Sequence, residues 1–253
     1  MNKQILQIAA IIAILTLVIA SYVISTAWRA SEFSAKAGVD EYVVVELFTS
    51  QNCESCPPAD KLLGTLAKDK NIIALGCHIN YLDRPSWKDT AALQECSERQ
   101  NNYAMAKQVG QVFTPELIIN GGKGLNGSDE SVVLEVLEQK QNEIISLNVG
   151  QLNSGNFIAK LPRGMSAQSM EAYFIPYIKD HTQHISGGDN RGKTLTYNNS
   201  VSTIIPIAII GNDIMIPSLS AEQNGFGLLL HRRTSLGLGK VVAAGKWEKS
   251  SAK

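Results

Sequence analysis

Residues 42–60 read YVVVELFTSQNCESCPPAD and join a strand pattern to a pair of cysteines. The segment 42–48 is β-branched and apolar, which is typical of a buried strand in a parallel sheet. The pair, Cys53 and Cys56, follows this strand directly. Apolar residues at helical spacing over 59–68 then predict a helix, and two prolines suit its first turn, where a backbone N–H has no partner to lose. The segment therefore predicts a strand, a Cys-x-x-Cys pair and a helix in succession.

The cysteine pair is the strongest chemical signal in the chain. A helix N-terminus carries free N–H groups and about half a positive charge, so it favours a thiolate over a thiol. Cys53 is expected to be the exposed nucleophile, and Cys56, one turn further in, the resolving thiol. Glu54 places a negative charge beside the sulfurs, which predicts a reducing or isomerising potential rather than a strongly oxidising one. Zinc sites share this spacing, so the pair alone leaves a metal-binding alternative open.

Strand and helix patterns continue to alternate after the cysteine pair. They predict a strand over 71–79, a helix over 89–109, a strand over 116–120 and a helix over 128–145. This order predicts an α/β layered domain over residues 41–147.

A threonine and a proline come just before the third of these strands. A proline that starts a strand beside a redox pair is a candidate for a cis peptide bond, although an ordinary trans proline remains the alternative. In the redox interpretation, Thr114 and Pro115 face the disulfide and bind the backbone of a polypeptide substrate.

The second half of the chain, residues 148–250, shows no convincing helix. Short apolar runs recur between clusters of Gly and Asn, which predicts a mainly antiparallel, sandwich-like β domain. The runs cover residues 156–161, 170–178, 193–197, 203–209, 213–216, 227–231 and 241–247. The segment 190–194 opens no helix, so it does not fit a phosphate-binding loop. A hairpin turn is preferred there to the alternative, in which Arg191 contacts the first domain or a ligand between the domains.

A set of motifs spread over the chain carries a family resemblance. The motifs lie at residues 45–51, 53–60, 78–83, 87–89, 99–100, 103, 114–115 and 190–196. Together they resemble the thioredoxin superfamily, and in particular the DUF1223 family of exported bacterial proteins. The resemblance implies a thioredoxin-like fold but no established activity. Asn80, Leu82 and Glu116 depart from the family pattern, and Asn80 cannot titrate where the family usually has an aspartate.

Two further residues are candidates for proton transfer at the cysteine pair. Glu46 lies within an apolar strand, so a buried carboxylate with a raised pKa is expected to accept the proton of Cys56. The structural alternative is a carboxylate that pairs with Arg99 or Lys61. His78 follows the second strand and is a candidate either for proton transfer or for a substrate groove. The alternative for His78 is a hydrogen-bonded loop around buried aromatic residues.

The remaining cysteines leave two questions open. Cys77 and Cys96 either form a second disulfide or stay as separate buried thiols. A set of Cys53, Cys56 and His78 would suit copper or zinc, since thiolates and imidazole bind both metals.

The N-terminal stretch indicates where the protein is located, and the charge balance limits the classes of partner. Residues 4–28 carry no charge, which predicts a signal peptide or a membrane anchor over 1–27, with a possible tether through 5–25 and a linker over 28–40. Cleavage would follow Ala27. The chain has 23 basic and 23 acidic side chains, so its neutral balance argues against a nucleic-acid partner.

These observations predict an exported thiol–disulfide exchange protein that is periplasmic or extracytoplasmic, either free or anchored to the inner membrane. Its expected partners are the thiols and disulfides of other exported proteins. No organic cofactor is needed, because the dithiol carries the electrons. The alternatives are a metal-binding or delivery module, and a partner-binding protein in which the Cys53–Cys56 disulfide only staples a helix.

Overall fold

The computed structural model describes residues 42–140 and 143–250. Three α-helices lie within these residues: α1 (Cys56–Leu66), α2 (Gln94–Lys107) and α3 (Glu130–Gln139). The strands are β1 (Val43–Thr49), β2 (Ile72–His78), β3 (Glu116–Ile119), β4 (Gly124–Asn126), β5 (Ile145–Ser146), β6 (Val149–Gln151), β7 (Phe157–Lys160), β8 (Met170–His184), β9 (Thr194–Val201), β10 (Ile205–Ile207), β11 (Ile209–Ile210), β12 (Asp213–Ile216), β13 (Gly225–Arg233) and β14 (Leu238–Glu248). A short 3₁₀ turn at Ala167–Ser169 precedes β8.

One ten-stranded mixed sheet runs through both halves of the chain. Its order is β4-β3-β1-β2-β9-β8-β13-β14-β5, and β10 pairs with β8. The pairs β1–β2, β2–β9 and β14–β5 are parallel, and the others are antiparallel. A second sheet has four strands in the order β11-β12-β7-β6.

The predicted fold, a thioredoxin-like α/β domain followed by a sandwich-like antiparallel domain, is therefore wrong. The described chain is mostly β, and strands of both predicted domains share the large sheet. The link is made where Gly76 of β2 pairs with Ser200 of β9, so the predicted boundary near residue 147 does not separate two sheets. Local periodicity identifies strands but not the partner of each strand edge, which is why the prediction failed.

The two faces of β1 pack against different helices, because successive strand residues point to opposite sides of a sheet. Val43, Val45 and Leu47 belong to a cluster with the apolar side of α1. Val44 and Phe48 belong to a separate cluster that includes residues of α2 and of the second half of the chain. This division decides which polar residues can reach the cysteine pair.

The predicted helices are shorter than expected but occur in the expected order. Helix α3 ends at Gln139. Its N-terminus is capped by Asp129, whose side chain accepts a hydrogen bond from the backbone N–H of Val132. The segment 89–93 is a loop, because its backbone and side chains bind the end of β2 rather than form a helical turn.

The predictions for the leader and the linker concern residues 1–40, which lie outside the described residues. Among the residues that the structure describes, no helix is long and apolar enough to cross a membrane.

Candidate active site

The cysteine pair lies where β1 leads into α1. Cys53 and Cys56 form a disulfide with their Cα atoms 5.3 Å apart, and Cys56 is the first residue of the helix. Cys56 is completely buried, whereas Cys53 keeps 6% of its surface exposed. Cys53 is therefore the more accessible residue of this disulfide.

A surface cavity of about 420 Å³ opens over Cys53. Thr114 contributes to its wall, and the Thr114–Pro115 peptide bond is cis, which confirms that prediction. The other lining residues are Asn52, Glu54, Ser55, Leu82, Arg84 and Asp189. The cavity therefore brings Cys53 and the residue before the cis proline to one surface.

His78 lies at the end of β2 on the same face of the sheet as α1. Its Nδ1 is 2.8 Å from Oδ2 of Asp89, and both side chains are almost completely buried. Burial lowers the pKa of His78, but Asp89 more than offsets this, so the pKa of His78 is raised. Asp89 also accepts hydrogen bonds from the backbone N–H groups of Gln51 and Ala91. The pair thus joins β2 to the loop that carries Cys53.

Asp60 is a buried acid on the same helix as the resolving cysteine. It lies four residues after Cys56 on α1, a spacing that places the two side chains on one helix face. Asp60 is buried, and burial raises its pKa to about 6 against the lowering effects of His78 and Thr49. A carboxyl with this pKa exchanges its proton near neutral pH.

Tyr197 of β9, in the second half of the chain, lies beside the buried side chains of His78, Asp60 and Asp89. Its ring packs edge-on against the His78 ring, with 4.6 Å between the centroids. Burial, together with the charges of Asp60 and Asp89, raises the pKa of the Tyr197 hydroxyl. The hydroxyl therefore stays neutral beside the two acids.

The predicted raised pKa of Glu46 is wrong. Glu46 lies on the sheet face opposite α1, where the Arg99 Nε and the Tyr103 hydroxyl both donate to its carboxylate. Burial would raise the pKa of Glu46, but Arg99 lowers it below its ordinary value. Arg99 also contacts His231, whose pKa is lowered to about 3 by burial and by Arg99 itself. The structural alternative, an ion pair with Arg99, is what the structure contains.

A loop between β8 and β9 holds the cysteine loop in place. The side-chain amide of Asn190 donates to the carbonyls of Gln51 and Cys53, at 3.0 and 2.8 Å. Gly188 adopts a positive φ of 71°, and a side chain there would collide with Asn52. This loop is the hairpin connection that the sequence predicts, but Asn190 rather than Arg191 contacts the cysteine loop.

Cys77 and Cys96 form a second disulfide, which closes one of the questions left open by the sequence. Both residues are buried between β2 and α2.

Among the described residues, no group of three or more His, Cys, Asp or Glu side chains is placed to hold a metal ion.

Three residues of the site were not identified from the sequence as proton-transfer or binding residues: Asp60, Asp89 and Asn190. All three lie inside the quoted motifs, and the four-residue spacing of Asp60 from Cys56 on the helix was a usable signal. Asp89 and Asn190 reach the site through loops, for which no sequence period exists.

Comparison with known proteins identifies a family and a fold. The family model described as "Protein of unknown function (DUF1223)" matches residues 44–224. A search of curated proteins finds no match. The structure is similar to the crystal structure of protein AGR_C_4864 from Agrobacterium tumefaciens, with a TM-score of 0.71, 24% identity, and coverage of 87% of this chain and 98% of that chain. It is also similar to HBP35 of Porphyromonas gingivalis, with a TM-score of 0.58, 12% identity, and coverage of 84% and 76%. At these identities, the two structures support the fold alone.

Proposed function

Because the chain belongs to the DUF1223 family, whose description names no activity, we propose its function from the cysteine site: thiol–disulfide exchange with other proteins. The observation that carries this proposal is the asymmetry of the disulfide. Cys53 faces a surface cavity beside Thr114, while Cys56 is completely buried at the first position of α1. A substrate sulfur can approach Cys53 but not Cys56.

The exchange has two balanced steps. A substrate thiolate attacks the Cys53 sulfur, which forms a mixed disulfide and releases the Cys56 thiolate. A second substrate thiolate then attacks the substrate sulfur of the mixed disulfide, which forms the substrate disulfide and releases the Cys53 thiolate. The substrate loses two electrons and the protein gains them. The reverse sequence reduces a substrate disulfide, so the potential of the pair sets the direction.

Asp60 is the proposed proton donor to the Cys56 thiolate. It shares a helix face with Cys56, and its pKa of about 6 leaves part of the population protonated at neutral pH. His78 acts on Asp60 by its charge and is itself held by Asp89. In this proposal His78 is a positioning residue rather than a catalytic one.

The proposed location is outside the cytoplasm. Two disulfides occur in the described residues, and structural disulfides persist mainly in oxidising compartments. The neutral apolar stretch at residues 4–28 is typical of an export signal or anchor, which also supports a location outside the cytoplasm. The proposed partners are therefore exported proteins.

A redox titration in glutathione buffers tests the activity. Cys53 alkylation is followed by mass spectrometry, and metal content is measured on the same sample. We expect a reversible two-electron transition at a potential clearly below that of the strong periplasmic oxidants, which lie at about −120 mV. We expect this low potential because exposed Glu54 lines the cavity and places a negative charge beside the sulfurs.

Two single-cysteine variants separate the roles. Cys56→Ser is expected to accumulate a mixed disulfide with a model disulfide substrate, because the Cys53 thiolate attacks the substrate disulfide, releases one substrate thiol and has no resolving partner. Cys53→Ser is expected to form none. The double variant Cys77→Ala/Cys96→Ala is the matched control and keeps the exchange activity. A pair that resists reduction, or one that binds stoichiometric metal when reduced, contradicts the proposal and favours a structural or metal-binding role.

A further inference from the structure

We propose that a second cavity, walled by α2, the turn between β3 and β4, and the β13–β14 hairpin, binds a small organic carboxylate with an apolar body. The cavity has a volume of about 960 Å³, within the range of small-molecule sites. It does not include either cysteine of the redox pair. The inference therefore does not rest on the proposed exchange activity.

The floor of the cavity is apolar. Ile118, Leu238 and Val241 line it and belong to the buried core. Phe113 and Val109 lie at its edge and remain 44% and 47% exposed. Large exposed apolar side chains around a concave surface are typical of a ligand site, because water contact with them is unfavourable until a ligand covers them.

The charge around the cavity is positive although the whole chain is neutral. Four cations line it: Lys107, Lys123, Arg232 and Lys240. Within the described part of the chain, none of these four forms a salt bridge. An anionic group is the complement of this set.

The two carboxylates that line the cavity are already engaged. Glu116 accepts a hydrogen bond of 2.6 Å from the Gln100 side chain, and burial raises its pKa. Glu143 pairs with Lys140, with 2.7 Å between the charged atoms. Among the described residues, neither acid forms a salt bridge with a cation that lines the cavity, although the charge of Glu116 acts on Lys107.

Lys107 is the cation best placed to select an anion. It ends α2, and its Nζ lies 4.5 Å from the centre of the Tyr103 ring. The side chain is partly buried, and burial lowers its pKa. A carboxylate beside this ammonium would gain more than one at a fully hydrated lysine, because the attraction between charges is stronger where water is excluded.

The walls are held by close backbone contacts, so the cavity is preformed. Gly121 has a φ of 64°, and a Cβ there would lie 2.8 Å from the backbone N of Val241. The same N–H donates to the Asn120 carbonyl at 3.2 Å. Gly237, with a φ of 114°, brings the hairpin against the Asn102 carbonyl of α2. A preformed site needs little ordering when its ligand binds.

The test compares 6-phenylhexanoate with 6-phenylhexan-1-ol by isothermal titration calorimetry on the full chain. The two probes share the apolar body and differ in charge. We expect one site per chain, with the carboxylate bound about tenfold more tightly than the alcohol, as a charge-assisted hydrogen bond implies. Equal affinity for both probes, or no binding of the carboxylate, overturns the proposal.

Variants locate the binding. Lys107→Gln is expected to weaken carboxylate binding about tenfold and leave alcohol binding unchanged. Lys68→Gln changes an exposed lysine outside the cavity and is expected to affect neither probe.

Ala104→Trp fills the cavity and is expected to abolish binding of both probes. If that variant fails to fold, the Lys107→Gln comparison decides alone. Carboxylate binding that is equally weak in the two lysine variants, or unchanged in both, overturns the assignment. Cys53 alkylation is expected to be normal in Lys107→Gln, which separates this result from the redox proposal.

Discussion

Asp60 determines a pH dependence at the scale of a single residue. Its pKa is about 6 in the folded protein against an ordinary value of 3.8, so the folded chain keeps a proton that the unfolded chain has lost. The contribution of Asp60 to the free energy of unfolding is therefore most favourable below about pH 4 and falls as the pH rises to about 6. At neutral pH the ionisation of Asp60 lowers the free energy of unfolding by at most about 3 kcal/mol.

The variant Asp60→Asn is expected to remove this cost. Its unfolding free energy in urea should exceed that of the wild type by up to about 3 kcal/mol at pH 7.5 and by nothing at pH 3.5. Glu138→Gln, at an exposed position on α3, serves as the control and should show no such difference. The same Asp60 variant should slow the reduction of the Cys53–Cys56 disulfide by dithiothreitol about hundredfold at neutral pH. An equal stability change at both pH values would contradict the assignment.

Glu46 is expected to act on stability and not on redox chemistry. Its partner Arg99 is almost completely buried, so Glu46→Ala leaves a buried cation without its anion and should cost about 3–5 kcal/mol. Because the pKa of Glu46 is lowered, its contribution is present above about pH 4.5 and lost as the pH falls. Urea unfolding measures the loss, and the rate of Cys53 alkylation should stay at the wild-type value. A large change in that rate would restore the catalytic interpretation of Glu46.

Asn190 shows what the loop between β8 and β9 does at the scale of an element. Its amide donates to two carbonyls of the cysteine loop, so Asn190→Ala should cost about 1–3 kcal/mol. The variant removes this partner from the Gln51 carbonyl, whereas the Cys53 carbonyl keeps the backbone N–H of Cys56. It should also speed the alkylation of reduced Cys53, because the loop is then less restrained. Arg191→Ala, one residue along and exposed, is the control. Unchanged stability in Asn190→Ala would show that the loop does not hold the site.

Prediction from sequence succeeded best for elements with strong local signals. The strand pattern before Cys53, the helix start at the cysteine pair and the cis bond before Pro115 all depend on neighbouring residues. The length of α2 was overestimated, because the residues from Asp89 to Leu93 bind the end of β2 instead of continuing a helical ladder. Such long-range hydrogen bonds leave no periodic trace in the sequence.

The continuous sheet gives a prediction at the scale of the whole molecule. One core cluster combines Val44 and Leu75 from the first half with Ile175 and Leu229 from the second. A fragment of residues 42–147 should therefore lack cooperative unfolding, because seven of the seventeen buried residues of the cluster are missing. Urea unfolding followed by circular dichroism measures this, with the complete chain as the reference. A cooperative transition in the fragment would mean that it folds as an independent domain.

The sequence by itself determined local features of the cysteine site: the strand before the pair, the helix that begins at the pair and the cis bond before Pro115. These features depend on contacts within a few residues along the chain. Only the tertiary structure decided that β2 pairs with β9, that Glu46 faces Arg99 on the sheet face away from α1, and that Asp60, His78 and Tyr197 meet. The physical reason is that strand edges satisfy their backbone hydrogen bonds with any compatible partner, so their choice depends on the packing of the whole chain.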